Sequence, residues 1–530
     1  MTSKCTESPV VVVGGSLVGL SAALCLAFHN VPVIVVDRHP GSLPHPRAIG
    51  YTPRTMEIYR ALGIDKKIPE VPADFSLRRA RVESLAGTWH EESAWTEKTE
   101  EKSYSYSSFL DSSTSLGGFI VQDKLEAILR EATLQRGVDL RYSNILLSFE
   151  QDDEGVTALI KNTDGQEYTL RASYLIAADG HRSSIREKLG IQRDGRGHMQ
   201  TTRSVLFRAP LDEYLKRGIS QFNIDQPDFK AFLTSYNDGR WVLMFSDDIE
   251  RDEATLKSLI YKAIGRSDMD VEIITTGRWE LTALVAEKFQ SGRIFLAGDA
   301  AHTLPPNRGG YGANTGIADV HNLAWKLAAV LSGASTPELL ESYDLERRPV
   351  AWLRHQQIFA RADYKVHLAG DAKPEEVIDD IAVELGQLYR SKAILGAGDD
   401  LPPALRPDQW AGQPGTRAPH FWFTKDGQTI SSLDLFQTSW VLLSESAEWT
   451  SAAAHASRES QIEVQPVQVG VDLQLADVNV FRQAMGMSVS GASLVRPDGY
   501  IAWRSTGLPS DPLTMLKDVL RQVACARKLL

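Results

Sequence analysis

Four consecutive valines, Val10 to Val13, begin the hydrophobic pattern of the chain. An unbroken apolar run predicts a parallel strand buried on both faces. Leu20, Ala23, Leu24 and Ala27 then recur at helical spacing, and Val31 to Val36 predict a second strand, so the chain opens as βαβ. Gln122 to Arg136 reads as an amphipathic helix with Leu125, Ile128, Leu129 and Ala132 on one face.

Residues 200–280 change period. Lys230 to Tyr236 and Trp241 to Phe245 predict strands joined by the hairpin turn Asn237-Asp238-Gly239, the mark of an antiparallel sheet inserted into an α/β domain. Ile294 to Ala297 returns to a buried strand. Asn314 to Ser332 predicts a long helix, with Ile317, Val320, Ala324, Leu327, Ala328 and Leu331 on its apolar side and Gly333 beyond its end. The Pro-, Gly- and Asp-rich stretch 398–416 reads as a linker. Short strands follow at Trp440 to Leu443, Val464 to Val469, Ser493 to Arg496 and Tyr500 to Trp503.

Pro9 to Phe28 is apolar and long enough to span a bilayer. Gly14-Gly15-Ser16 and Gly19 interrupt it as a turn, so a strand–turn–helix is expected instead of an anchor or a signal segment. The 530 residues imply three or four domains at about 150 residues each. Hydrophobic residues at 43% and charged residues at 24% describe an ordinary globular chain. A net charge of −11 argues against a nucleic-acid partner, which needs an excess of Lys and Arg. Cys5, Cys25 and Cys525 include no Cys-x-x-Cys pair, which excludes a zinc ribbon, an iron–sulfur cluster and a dithiol centre. No metal is expected, and the cysteine usage fits a reducing, cytoplasmic setting.

The candidate chemistry begins at Gly14-Gly15-Ser16-Leu17-Val18-Gly19, a variant of G-x-G-x-x-G with Ser in place of the second glycine. It lies between the first strand and the first helix, where free N–H groups and a positive dipole end favour phosphate. Asp37 follows Gly14 by 23 residues, at the strand end where a carboxylate accepts ribose hydroxyls. Asp179-Gly180 follows the strand Tyr174 to Ile176, and Gly298-Asp299 follows Ile294 to Ala297. Next come Pro305-Pro306 and the loop Gly309-Gly310-Tyr311-Gly312-Ala313-Asn314, which leads into the long helix and its bare N–H groups. Gly396-Ala397-Gly398 has no helix after it and is discounted, so no second dinucleotide unit is expected.

In this order the three motifs resemble those of the class A flavoprotein aromatic hydroxylases, the p-hydroxybenzoate hydroxylase fold, and in particular the polyketide-tailoring hydroxylases of the aklavinone hydroxylase type. His45-Pro46-Arg47-Ala48, Gln122-Asp123-Lys124-Leu125-Glu126, Asn322-Leu323-Ala324-Trp325-Lys326-Leu327 and Gly491 to Gly499 extend the likeness from about residue 9 to residue 504. It implies a Rossmann-like FAD-binding domain (1–75, 101–186 and 280–398), an inserted antiparallel-sheet substrate domain (76–100 and 187–279), a linker (399–416) and a C-terminal thioredoxin-like domain (417–530) without its dithiol.

The resemblance also implies an FAD-dependent monooxygenase that consumes NAD(P)H as a transient electron donor. It would hydroxylate a phenolic, polycyclic aromatic substrate with dioxygen through a flavin hydroperoxide; a Baeyer–Villiger oxygenase or epoxidase is the alternative. A monomer or homodimer is implied, with no membrane partner. Asp37 would bind the adenosine ribose, Arg38, Arg47 and Gln122 the phosphate or ribityl region, and Asp299 the ribityl chain. Asp179 and Arg186 would serve FAD and the nicotinamide donor, and Pro306, Gly310, Gly312, Ala313 and Asn314 would line the flavin. The loop from Pro306 to Gly309 is one residue longer than usual, and its Arg308 is a candidate contact for substrate or pyridine nucleotide. Tyr389 and Arg390 are candidate cleft residues, with a surface salt bridge the alternative for the arginine. Phe222, Tyr236, Trp241 and Phe245 are candidate substrate-lining residues that could form an aromatic wall, although ordinary core packing is the favoured reading of the four. His302, beside Gly298-Asp299, is expected to be a packing residue.

Overall fold

The computed structural model describes residues 6–526 apart from 46, 73–77, 95–108, 307–309, 361–375 and 461. Arg308 and Cys5 lie outside the described residues. The first strand, β1 (Thr6–Val13), pairs in parallel with β2 (Val33–Asp37) on one side and with the strand Glu167–Ala177 on the other. Helix α1 (Leu17–Phe28) connects β1 to β2. Ile294–Leu296 extends the sheet in parallel beyond 167–177, and Asp139–Tyr142 extends it beyond β2. Val10, Val11 and Val12 are essentially inaccessible, as an apolar run flanked on both sides requires. The stretch Pro9 to Phe28 is thus split between a strand and a twelve-residue helix. Among the described residues no helix is long and apolar enough to cross a membrane.

The remaining helices of this region are α2 (Pro53–Ala61), α3 (Gln122–Gln135), α4 (Ser184–Lys188), α5 (Glu253–Ile264), α6 (Tyr311–Leu331), α7 (Ser342–Ala360) and α8 (Asp380–Leu385). Two long strands, Arg193–Arg208 and Glu272–Ala286, leave the parallel sheet and run antiparallel as the spine of a second sheet. Arg240–Phe245, Phe229–Ser235 and Gln221–Gln226 continue that sheet as a meander, and Arg78–Val82 joins its far side in parallel. The inserted sheet is therefore antiparallel except at this one pair.

The third sheet runs Val464–Gln468, Trp440–Ser444, Ala492–Val495 and Ile501–Ser505, with its first pair parallel and the others antiparallel. Helices α9 (Ala447–Ser460), α10 (Val478–Met485) and α11 (Pro512–Val523) accompany it. Its core is continuous with that of the parallel sheet, and Trp325 of α6 meets Trp440 edge-on at 5.8 Å. The Pro-rich stretch read as a linker is fastened down. Leu388 N–H donates to the Pro403 carbonyl (2.9 Å), Tyr389 N–H to Gly415 (2.8 Å) and Trp410 Nε1–H to Gly386 (2.8 Å). Proline and glycine set its irregular path, while long-range hydrogen bonds remove its freedom.

Candidate functional site

The three motif stretches converge at the carboxyl ends of the parallel strands. After β1 the chain turns at Gly14, whose φ is +107° and whose missing Cβ would otherwise collide with the Ala178 carbonyl. That contact brings the first glycine motif against the Asp179-Gly180 turn. Gly15 N–H donates to Asp37 Oδ2 (2.5 Å) and His39 N–H to Asp37 Oδ1 (2.7 Å), so the carboxylate at the end of β2 is fixed beside the turn. Arg38 is exposed next to it.

Ser16, exposed, caps α1 with extended backbone. Its hydroxyl donates to Glu126 Oε1 (2.5 Å), which also accepts Leu17 N–H (3.1 Å) and the Gln122 side-chain amide (2.8 Å). Gln122 Oε1 accepts the N–H groups of Arg47 (3.3 Å) and Ala48 (3.2 Å). One turn of α3 thereby ties the amino end of α1 to the loop carrying Arg47. Glu126 was missed as a site residue, although its i,i+4 spacing from Gln122 put both on one helix face. It also accounts for Ser16, whose hydroxyl has a buried acceptor.

Asp179 Oδ2 accepts Ile185 N–H (3.3 Å), while Oδ1 is buried without a partner. Burial pushes this carboxyl above its ordinary range, against the pull of Ser183 and the Ile185 amide. Arg186 departs from expectation. It is enclosed, and its guanidinium donates to the carbonyls of Ala300 (3.0 Å) and His181 (3.3 Å), joining the two Asp-bearing turns from behind.

Asp299, half-exposed, sits in the turn Gly298–Ala300, and its carboxylate lies 3.8 Å from Arg47 Nη1. Arg47 also stands over the Trp279 ring at 5.4 Å, and Trp279 Nε1–H donates to Ser204 Oγ (2.9 Å), which meets His45 Nε2 at 3.0 Å. The Arg47 loop is thus seated on the inserted sheet. His181 faces the same rim, and burial with Arg47 nearby holds its imidazole below its ordinary pKa.

Helix α6 begins at Gly310, left-handed at φ +56°, with no acidic residue in its first turn to offset the positive dipole end. Asn314 is a clamp: its Oδ1 accepts from Thr52 N–H (3.0 Å) and Thr55 Oγ1 (2.6 Å), and its amide donates to the Gly310 carbonyl (2.9 Å). Behind the turn, His302 is fully buried with Nε2 2.7 Å from Asp319 Oδ2, in keeping with a packing role. Asp319 was also missed; its signal is a lone carboxylate on the apolar side of α6.

Two candidates lie elsewhere than expected, and three aromatics follow the core-packing reading. Tyr389 is buried away from the cleft, stacked on Tyr500 with centroids 4.0 Å apart, and its hydroxyl accepts from Arg347 (2.7 Å). Arg390 donates to the carbonyls of Gly398 (3.1 Å) and Leu401, pinning that loop. Phe222, Trp241 and Phe245 are buried in the core between the inserted sheet and α5. Alternation along the strand sends Val242 and Met244 to the opposite face, where Leu206, Tyr236 and Val242 pack against Val121. Half-buried Ile49, Met244 and Ile274 border that cluster. Of the four aromatics only Tyr236 belongs to the face toward the motif cleft.

The residues present fit a dinucleotide. A Cβ at Gly180 would meet nothing within 4 Å, and one at Gly312 only the Leu304 carbonyl at 3.8 Å, so open space flanks both turns. The partnerless Asp179 oxygen, the half-exposed Asp299 and Arg47, and the amino ends of α1 and α6 supply acceptors, a cation and N–H donors along one path.

Comparison with known proteins agrees. Residues 7–357 match the family described as FAD binding domain, and 411–526 match the family described as aromatic-ring hydroxylase, C-terminal. The chain is 39% identical to a 4-methyl-5-nitrocatechol 5-monooxygenase of a Burkholderia species, covering 98% of each chain. It is 37% identical to an aklavinone 12-hydroxylase of Streptomyces purpurascens, covering 98% of this chain and 99% of the relative. The crystal structure of a ternary complex of aklavinone-11 hydroxylase with FAD and aklavinone superposes with a TM-score of 0.87 at 35% identity, over 98% of this chain and 99% of that one. The chain belongs to the FAD-dependent aromatic-ring hydroxylases and is a flavin monooxygenase.

Proposed function

We propose that this hydroxylase inserts one oxygen atom into a phenolic, polyketide-like polycyclic aromatic compound, with NAD(P)H as a visiting electron donor. The observation that carries the reading is the apolar ridge that Met244 and Ile274 of the inserted sheet form with Ile49 of the Arg47 loop, half-buried and uncharged. A planar aromatic guest is recognised by such a surface with few polar contacts. Relatives that carry aklavinone and tetracenomycin in their names support a polycyclic guest.

Bound FAD, reduced by NAD(P)H, supplies activation of dioxygen, of which one atom enters the ring and the other leaves as water. The chain's own residues hold and shield this chemistry. Asp37 would accept the adenosine ribose hydroxyls and Asp299 the ribityl hydroxyls, while Arg47 and the amino end of α1 would offset the pyrophosphate charge. The amino end of α6 would set its dipole against the negative charge of the reduced flavin, and the apolar ridge would keep water out.

The test is product mass spectrometry under labelled dioxygen with a panel of anthraquinone-like compounds and simple phenols. A single labelled oxygen in a polycyclic product is expected. Turnover restricted to monocyclic phenols would refute the polycyclic assignment.

A further inference from the structure

The C-terminal unit, residues 411–526, carries a single cysteine, Cys525, and no dithiol. Two buried routes lead from it to the same end of α6. On the first, Tyr500 stacks on Tyr389 (4.0 Å, 10°), and the Tyr389 hydroxyl accepts from Arg347 Nη1 (2.7 Å). Arg347 pairs with Asp319 Oδ1 (2.8 Å) and donates to the Thr315 carbonyl (3.3 Å). Asp319 Oδ2 meets His302 Nε2 (2.7 Å) and accepts Gly298 N–H (3.3 Å), the amide next to Asp299.

On the second route, Arg417 holds Glu57 of α2 through two bonds (3.0 and 2.5 Å). Two residues away, Thr55 donates to Asn314 Oδ1 (2.6 Å) in the first turn of α6. Arg347, Asp319, Glu57, Arg417, Tyr389 and Asn314 are all nearly inaccessible to solvent. In a tightly packed interior, bonds of this kind transmit a fixed position and leave little slack.

We propose that the C-terminal unit is a brace for the cofactor site, setting the positions of the Gly298-Asp299 turn and the first turn of α6, with Asp319 and Tyr389 as positioning residues. The proposal rests on the FAD site described above. Removal of either residue loosens the acceptor and the helix end that face the flavin, and so acts on the cofactor without touching it.

The experiment titrates FAD into the full-length apoprotein of the wild type, Asp319→Asn and Tyr389→Phe, and records visible flavin absorption, midpoint potential and thermal unfolding. Arg482→Gln is the control, because Arg482 pairs with Glu445 (2.7 Å) inside the C-terminal unit. Asp319→Asn is expected to weaken FAD binding roughly tenfold or more, and Tyr389→Phe about two- to tenfold, both with shifted flavin bands and potential. Arg482→Gln should keep the wild-type Kd whatever its melting temperature. Lowered melting temperatures with wild-type Kd, bands and potential in both variants would overturn the brace. If Asp319→Asn does not fold, Tyr389→Phe decides alone. A wild-type apoprotein that takes up no FAD would instead overturn the site reading, and the brace with it.

Discussion

Val18 of α1 rests against the bare Cα of Gly316 in α6: a Cβ at Gly316 would lie 2.6 Å from Val18 Cγ2. The same valine lies within 2.9 Å of where a Cβ on Gly298 would stand. Close approach of the two helices therefore aims both amino ends at one cleft. Gly316→Ala should separate them, costing about 1–3 kcal/mol of stability and lowering the flavin-to-protein ratio. Adding Val18→Ala should restore part of both. Melting temperature and flavin content of the single and double variants check this; an unperturbed single variant would show that the approach is not tight.

Asp299→Ala should lose bound FAD while the protein stays folded. The residue is half-exposed in its turn, and its neighbour Arg47 is equally exposed, so little packing is sacrificed. The ratio of flavin absorbance to protein after gel filtration reads the outcome, and full flavin content would remove Asp299 from the site.

Arg390→Ala should lower stability with turnover per flavin unchanged. Its guanidinium serves the carbonyls of Gly398 and Leu401, which lose a charged donor. A cost of about 1–3 kcal/mol is expected from denaturant unfolding. A drop in turnover by the flavin-loaded enzyme would return Arg390 to the cleft.

Trp241 and Met244 occupy one strand and opposite faces of the inserted sheet. Trp241→Ala should destabilise by about 3–5 kcal/mol as a core cavity, without altering which aromatic compounds are hydroxylated. Met244→Trp should leave FAD binding intact and narrow the range of accepted substrates. Paired melting curves and substrate profiles test both, and the reverse pattern would place the guest on the other face.

Acid should weaken the protein well above the carboxylate range. His355 is buried between Trp352 and Phe359, and burial, aided by Arg196, lowers its pKa to about 4. The unfolded chain takes up this proton near pH 6.5 while the folded one resists, so the contribution is complete above 6.5 and lost as pH falls toward 4. The loss amounts to up to about 3 kcal/mol. Burial holds His29, His321 and His420 low as well, so His355→Gln should lessen, without abolishing, the fall of melting temperature between pH 6.5 and 4; an unchanged slope would exclude a contribution from His355.

Local pattern was enough for the strand–turn–helix at Val10 to Phe28, for Asp37 at the end of β2, and for the long helix that became α6. Alternation, helical spacing and glycine turns are short-range properties, and they are written into neighbouring residues. The family resemblance of the three motifs was legible for the same reason.

What neighbouring residues cannot record is which distant group each side chain meets. Tyr389 and Arg390 read as a polar pair suited to a cleft, and packing sent one to Arg347 and Tyr500 and the other to the carbonyls of its own loop. Period-two alternation placed Trp241 and Met244 on opposite faces, but only the docking of α5 on one side and of Val121 on the other decided which face is core. Glu126 and Asp319 became parts of the site because separate elements brought buried N–H groups to their carboxylates, and a buried charge is retained only where such partners surround it.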